Sequence, residues 1–308
     1  MNNTVYYDPQ CEDDERRRRL FEGQLFVYSP RRSSLDFCEF ARGMIEAAFA
    51  PLDPRVAQHH MNVEQYAHVL GQLKPSFIHH PESKRHIQTL LGELGCDLDA
   101  TYFDVPKLRS STSDDYLTSG IAYAWHPHRD TWYSAPPCQI NWWIPIYETS
   151  ADNVMAFHPR YFTQGLANSS AGYNYYRWNQ EHRGGHVAQF TKSDPRPLPK
   201  PTEPVEMEPQ IRLVVPPGAI IMFSAGQLHS SVPNTSGVTR YSIDFRLVNS
   251  DDALARRGAP NVDSQCTGTT MRDYLRGADL VHLPDHIVRL YDDETVDHGS
   301  LLYQPSGA

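Results

Sequence analysis

Trp125-His126-Pro127-His128-Arg129-Asp130 is the stretch on which the fold turns, read together with what surrounds His229, 99 residues after Asp130: Leu228-His229-Ser230-Ser231-Val232, the turn Asn234-Thr-Ser-Gly237 and the run from Thr239 to Val248. A His-x-Asp pair and one distant His can cap one face of Fe(II) and leave three positions open for a bidentate small molecule and O₂. In an extended segment residues two apart share a face, so His128 and Asp130 are expected to point the same way, with His126 beside them. Pro216-Pro217-Gly218 reads as a turn, Ala219 to Phe223 as a short apolar strand, and His229 as part of the strand that follows a Ser-Ala-Gly bend. Arg240 is then expected to open a strand pairing back against that of His229. With Ser242 two residues on, it would offer a carboxylate a guanidinium fork and a hydroxyl.

This set resembles the Fe(II)/2-oxoglutarate dioxygenases, and within them the phytanoyl-CoA dioxygenase-like branch, over residues 105–250. The resemblance implies that His128, Asp130 and His229 hold iron, that Arg240 salt-bridges the distal carboxylate of 2-oxoglutarate, and that Ser242 and Ser231 share that contact. It also implies a polar residue on the strand after His-x-Asp touching the cosubstrate, for which Asn141 is the best match and Gln139 the weaker one. In relatives that transfer chlorine a small residue replaces the carboxylate, so Asp130 argues against halogenation. The activity implied is oxidative decarboxylation of 2-oxoglutarate to succinate, using O₂, coupled to hydroxylation of a C–H bond. Desaturation, epoxidation and cyclisation share the ligand set.

Each residue has a plainer reading. Fifteen histidines make one His-x-Asp pair unremarkable, and it is the arrival of His229 and Arg240 in order that favours a metal site. His126 would compete with His128 in a His-x-His cupin pattern, but no glutamate follows within residues 131–134, so it is read as supporting the ligands or facing substrate. Ser231, Ser242 and Asn141 equally suit the satisfaction of neighbouring backbone. Two other classes stay open: a cupin-like metalloenzyme without 2-oxoglutarate, which would have no use for Arg240, and a non-catalytic binding module, which would not need all three ligands.

The expected architecture is mainly β with flanking helices, a double-stranded β-helix or jelly roll of two antiparallel sheets. One catalytic domain spans 1–308, with bracing helices in 1–104, the jelly-roll core in 105–250 carrying a lid-like insertion at 157–210, and a C-terminal extension at 251–308 without a chemical motif. A strand is expected at 24–29. Helices are expected from Ser33, with Phe37, Ala41, Met44, Ile45 and Ala48 on one face; over 62–71; and from Pro81 to a cap at Gly95, with Ile87, Leu90, Leu91 and Leu94 inward. In the strand Gln139 to Ile146, polar Gln139 and Asn141 are expected to face the barrel mouth. Residues 271–275 and 285–290 suggest short helical pieces.

A net charge of −9 makes a nucleic-acid partner improbable, and Arg16 to Arg19 follow Glu12-Asp-Asp-Glu15, which reads as local neutralisation on a solvated segment. No apolar run reaches transmembrane length and the first residues lack signal-peptide character, so no membrane partner and a cytoplasmic location are expected. Five scattered cysteines suggest reduced thiols. The sequence specifies no oligomeric state. The insertion is the one handle on substrate: its aromatic rings and directional donors suit a small polar molecule, such as a sugar or sugar acid, an amino-acid derivative or a natural-product intermediate. His126, Trp132, His158, Arg160, Tyr175 and Arg177 are the substrate candidates, with Arg183 a further cation for an acidic group.

Overall fold

The computed structural model of the chain describes residues 4–117, 126–181 and 196–292. In chain order its strands are β1 (Val5–Tyr7), β2 (Leu25–Tyr28), β3 (Thr101–Phe103), β4 (Lys107–Ser111), β5 (Ile140–Pro145), β6 (Met155–Phe157), β7 (Ile211–Arg212), β8 (Ile220–Ser224), β9 (His229–Ser231), β10 (Arg240–Asn249) and β11 (Leu275–Arg276). The helices are α1 (Asp13–Phe21), α2 (Arg32–Phe49), α3 (Val63–His79), α4 (Pro81–Glu93), α5 (Tyr175–Glu181), α6 (Ser250–Leu254) and α7 (Asp285–Val288). The strands form a large sheet in the order β1-β2-β8-β5-β10-β3-β11, with β4 also paired to β10, and a small sheet in the order β7-β6-β9.

Strand β10 organises the site because period-two alternation gives it two chemically different faces. Tyr241, Ile243, Phe245 and Leu247 are buried in the main core with Trp142, Ile144, Ile220 and Met222 of the neighbouring strands. The same core takes Phe37, Ala41, Ile45 and Phe49 of α2, Tyr66, Leu70 and Phe77 of α3, and Ile87, Leu90 and Leu91 of α4. Each fully buried Leu, Ile, Phe or Met side chain among them contributes about 1.5–3 kcal/mol of hydrophobic stabilisation. The other face of β10 carries Arg240, Ser242, Asp244 and Arg246, polar residues that would be untenable in that core.

The helices follow the sequence with local corrections. Helix α3 runs on to His79 through Pro75, capped by Asn62 and Gln65 reciprocally. In α2, Ala48 faces solvent and Phe49 supplies the last inward position. Its first turn is held by Glu93 of α4, which accepts from the Ser33 amide at 3.0 Å, and by Ser34, whose Oγ accepts from the Arg31 amide at 2.9 Å. Gly95 takes φ +73° after α4, as a C-terminal cap requires. Arg16 and Arg17 are buried against Asp13 and Asp252, so that half of the arginine run is structural and not solvated. The five cysteines are all free. Among the described residues no helix is long and apolar enough to cross a membrane.

Two expectations about the ligand strands change. Asp130 lies outside any strand and opens a 3-10 turn, Asp130–Tyr133; the expected strand before His126 lies outside the described residues. Strand β10 pairs with β5, β4 and β3, not with β9, whose partner is β6. The Asn234–Gly237 segment therefore crosses from the small sheet to the large one. Trp142 on β5 and Phe245 on β10 stand opposite each other there, rings 5.4 Å apart, an apolar pairing that the three residues of β9 do not offer.

Candidate metal centre and its cavity

His128 and His229 are brought together by backbone hydrogen bonds. Each amide donates to the other's carbonyl at 3.0 Å, an isolated antiparallel bridge at the edge of the small sheet. Residues opposed in this way project side chains to the same side, and the two imidazole centroids lie 4.3 Å apart. The 3-10 turn then folds Asp130 back, so that its Oδ1 lies 3.4 Å from His128 Nε2 and 3.9 Å from His229 Nε2. One donor atom from each of the three falls within 4.8 Å of the others.

The tautomers fit a metal ion. Nδ1 of His128 contacts the His126 carbonyl at 2.9 Å and Nδ1 of His229 the Gln227 carbonyl at 3.0 Å. A carbonyl can only accept, so each Nδ1 carries the proton and each Nε2 turns a lone pair toward Asp130. Burial, then the neighbouring His128, push His229 down to about 3, keeping it neutral as a ligand must be. Burial works to raise the Asp130 carboxyl, but the contact with the His128 ring and then the Arg246 guanidinium outweigh it and hold it well below the usual carboxylate range. Phe223 and Phe157 back His229 with centroids 4.8 and 6.4 Å away, a water-excluding wall on that side.

The second carboxylate oxygen is held separately. Gln139 Nε2 donates to Asp130 Oδ2 at 3.1 Å and to Asn141 Oδ1 at 2.8 Å, while Tyr274 donates to Gln139 Oε1 at 2.7 Å. Arg246 Nε stands 3.8 Å from Oδ2, and Arg246 is itself paired with Asp104 at 2.8 Å. Gln139 is thus committed to the ligand carboxylate. Arg129, between the two ligands, points the opposite way into the protein, 1% exposed, where it donates to Asp263 and to the carbonyls of Gly226, Tyr161 and Gln164.

A cavity of about 310 Å³ opens from these ligands, and Asn141, Ser231 and Arg240 line it. Arg240 is 7% exposed, lies over the Trp143 ring at 5.6 Å and donates to the Asn153 carbonyl at 3.0 Å; its Nε has no hydrogen-bond partner among the described residues. Burial depresses it to about 10, with Arg109 also lowering it and Asp244 opposing. Ser242 shares that face but is fully buried outside the cavity wall, its Oγ also without a partner among the described residues.

Of the substrate candidates only Tyr175 reaches the cavity, its hydroxyl donating to Asp273. His126 contacts the Pro199 carbonyl through Nε2, Trp132 donates to Asp263, and His158 is buried between Met207 and Ser230. Arg160 pairs with Glu206 at the surface and Arg177 is exposed outside the wall; Arg183 lies outside the described residues. The cavity instead receives Lys74 from α3, Lys107 and Arg109 from β4, and rings from Tyr133, Tyr173 and Trp178. Period-two spacing on β10 could have flagged Arg246 from the sequence. No sequence signal points to Lys74 or to Tyr274.

No family model matches the chain, and no curated protein is similar to it. Among solved structures it is similar to EvdO2 from Micromonospora carbonacea var. aurantiaca complexed with 2-oxoglutarate, at 12% identity over 78% of this chain and 92% of that chain, TM-score 0.45. It is also similar to the epimerase SnoN in complex with Fe3+, alpha ketoglutarate and nogalamycin RO, at 13% identity over 77% and 85%, TM-score 0.40. A third likeness is to AviO1 from Streptomyces viridochromogenes Tue57, at 10% identity over 78% and 97%, TM-score 0.38. Likenesses this distant carry no argument about this chain, and the roles of its residues follow from its own geometry.

Proposed function

We propose that this chain is an Fe(II)- and 2-oxoglutarate-dependent oxygenase of the phytanoyl-CoA dioxygenase-like kind, hydroxylating a C–H bond of a small polar metabolite. The observation that carries the reading is Arg240: a buried guanidinium with an unpartnered Nε, lining the same cavity as a two-His, one-carboxylate ligand group. Such a group alone also suits other divalent metals. A buried cation in the same cavity calls for an anion as well, and a dicarboxylate that chelates through its 2-oxo acid end while its far carboxylate meets Arg240 supplies one.

His128, Asp130 and His229 would hold Fe(II), and with 2-oxoglutarate and O₂ bound there the centre supplies the oxidising power for C–H hydroxylation. The chain's own residues bind and orient. Gln139 and Arg246 fix Asp130 so that Oδ1 faces the metal position; Trp143 supports the Arg240 guanidinium; Asn141 and Ser231 offer polar contacts beside it. The large and small sheets read as the two walls of a jelly roll. The chain is read as one catalytic unit because α3, β4, β5, β10 and the segment after residue 250 all contribute to a single cavity. A cytoplasmic setting completes the reading.

The test is succinate formation from 2-oxoglutarate under air, with and without Fe(II), in the wild-type protein and in His229→Ala. Iron-dependent succinate that vanishes in the variant is expected, since slow uncoupled turnover does not need the substrate. Fe(II) binding without any 2-oxoglutarate binding would transfer the chain to the cupin-like class.

A further inference from the structure

Tyr274 brings the chain beyond β10 to within one side chain of a metal ligand. It sits between the 3-10 turn Thr270–Asp273 and β11. Its amide donates to the Met271 carbonyl and its carbonyl accepts from the Leu283 amide, so its ring enters the main core at a fixed place, 1% exposed. The hydroxyl donates to Gln139 Oε1 at 2.7 Å. Gln139, itself 2% exposed, then uses both hydrogens of Nε2, one on Asp130 Oδ2 at 3.1 Å and one on Asn141 Oδ1 at 2.8 Å.

This relay has one polarity. A carboxylate only accepts, so the amide end facing Asp130 is Nε2, and Oε1, at the other end, needs a donor. Burial, then the Asp104 charge, push the Tyr274 hydroxyl well above its ordinary value of 10, with Arg246 opposing, so it keeps its proton and is that donor. Packing alone does not call for the arrangement. Phe at 274 and Leu at 139 would fill the same space with no polar atom to desolvate, and exchanging both partners of a buried hydrogen bond for apolar groups of the same shape is close to neutral. What distinguishes the relay is the group at its end.

Asp130 has two oxygens, and only one of them faces the histidines. Oδ1 stands 3.4 Å from His128 Nε2 and 3.9 Å from His229 Nε2. Oδ2 takes its hydrogen bond from Gln139; Arg246 Nε, at 3.8 Å, is too distant for a bond and adds only charge. A six-coordinate ion held by one atom from each of three residues keeps three positions open. With both Asp130 oxygens bound it would keep two, a chelating 2-oxo acid would fill them, and none would be left for O₂. We infer that Tyr274 is a positioning residue: acting through the Gln139 amide, it keeps Asp130 Oδ2 off the metal, so that Asp130 binds by Oδ1 alone. The inference rests on the metal-site part of the oxygenase reading and on no contact with cosubstrate or substrate.

The experiment uses full-length protein and Mn(II), with no turnover required: electron paramagnetic resonance titration gives the affinity, and water-proton relaxation gives the number of waters on the bound ion. Wild type is expected to hold about three waters. Tyr274→Phe, which deletes one oxygen and keeps the ring, is expected to hold about one fewer and to bind Mn(II) about 3- to 10-fold more weakly, the loss of one buried hydrogen bond. Because Tyr274 acts through the amide, Gln139→Ala and the double variant Gln139→Ala/Tyr274→Phe are expected to share one affinity to within about twofold. Tyr66→Phe is the control: it removes an equally buried hydroxyl, bonded to Thr239 and Tyr241 in the main core, and should change neither reading. An unchanged water number in Tyr274→Phe overturns the proposal. So does a double variant weakened by the full Tyr274→Phe factor beyond Gln139→Ala, or a Tyr66→Phe control that loses a water as well. Should Tyr274→Phe not fold, replacement of Tyr274 by 3-fluorotyrosine, whose hydroxyl is the stronger donor, is expected to tighten Mn(II) binding; unchanged or weaker binding there also overturns it. Wild-type protein that binds no Mn(II) strikes the metal site itself, and the oxygenase reading with it, whereas binding that is indifferent to Tyr274 strikes this inference alone.

Discussion

Replacing Arg240 by Met should produce two opposite effects of similar size. The side chain is 7% exposed, and its guanidinium is held from 12.5 down to about 10 mainly by burial. At 1.36 kcal/mol for each pKa unit, that depression corresponds to roughly 3 kcal/mol of cost for keeping the charge in the free protein. A carboxylate forked onto the guanidinium would return an amount of that order, and losing one partner of a buried charged pair costs about 2–5 kcal/mol of binding. Arg240→Met should therefore weaken 2-oxoglutarate by about 150-fold, the equivalent of about 3 kcal/mol. The ligand-free fold should be unharmed or firmer, because Met is nearly isosteric with the Arg stem and leaves no buried charge, against which stand the lost bond to the Asn153 carbonyl and the lost contact with the Trp143 ring. Anaerobic titration of Fe(II)-loaded protein, following the weak visible charge-transfer band of the chelate, gives the affinity, and thermal melting of the metal-free protein gives the stability. A variant that binds 2-oxoglutarate within threefold of wild type refutes the assignment of Arg240, however its stability changes.

Further outcomes follow from the same geometry. Asp130→Ala and His229→Ala should each abolish stoichiometric Fe(II) binding in equilibrium dialysis while leaving the far-ultraviolet circular dichroism unchanged; retained iron in either would remove that residue from the ligand set. Gln139→Ala frees Asp130 Oδ2 and should weaken metal by about 10- to 100-fold, as loss of a partner behind a ligand does, read by competition with a chromophoric chelator. Burial lowers the pKa of His158 in the folded state, so its share of stability is present above about pH 6.5 and is lost as pH falls below that value. The melting temperature of metal-free protein should accordingly drop between pH 7 and pH 5, and drop less in His158→Gln; parallel curves for the two proteins would count against a neutral His158.

How much of this was readable in advance depends on whether a feature is local. His128, Asp130, His229 and Arg240 were legible because their order along the chain reflects adjacent elements, and the structure brings them to one cavity. The helices were legible because apolar spacing in α2 and α4 matches burial in the core almost position by position. The pairing of β10 was not, since a turn such as Asn234–Gly237 looks the same whether it closes a hairpin or crosses between sheets. Nor was the far wall of the cavity. Lys74 sits on a helix whose charged residues otherwise face solvent, and Tyr274 lies about 25 residues beyond the end of β10, so only tertiary contact brings them to the cavity. The polar residues of the insertion misled for the opposite reason: Arg160 and His158 look available in sequence but are already spent on Glu206, Met207 and Ser230.

Arg129 and Asp263 set a limit on how this protein can be shortened. The two join the turn between the metal ligands to a segment beyond β10, and Asp263 also accepts from Trp132 and from the Leu166 amide. Ending the polypeptide after β10 would look reasonable from the outline of the barrel alone. It would leave a guanidinium with no counter-ion deep inside the protein and strip Tyr274 from Gln139, so the tail belongs to the smallest piece of chain able to assemble its own metal site.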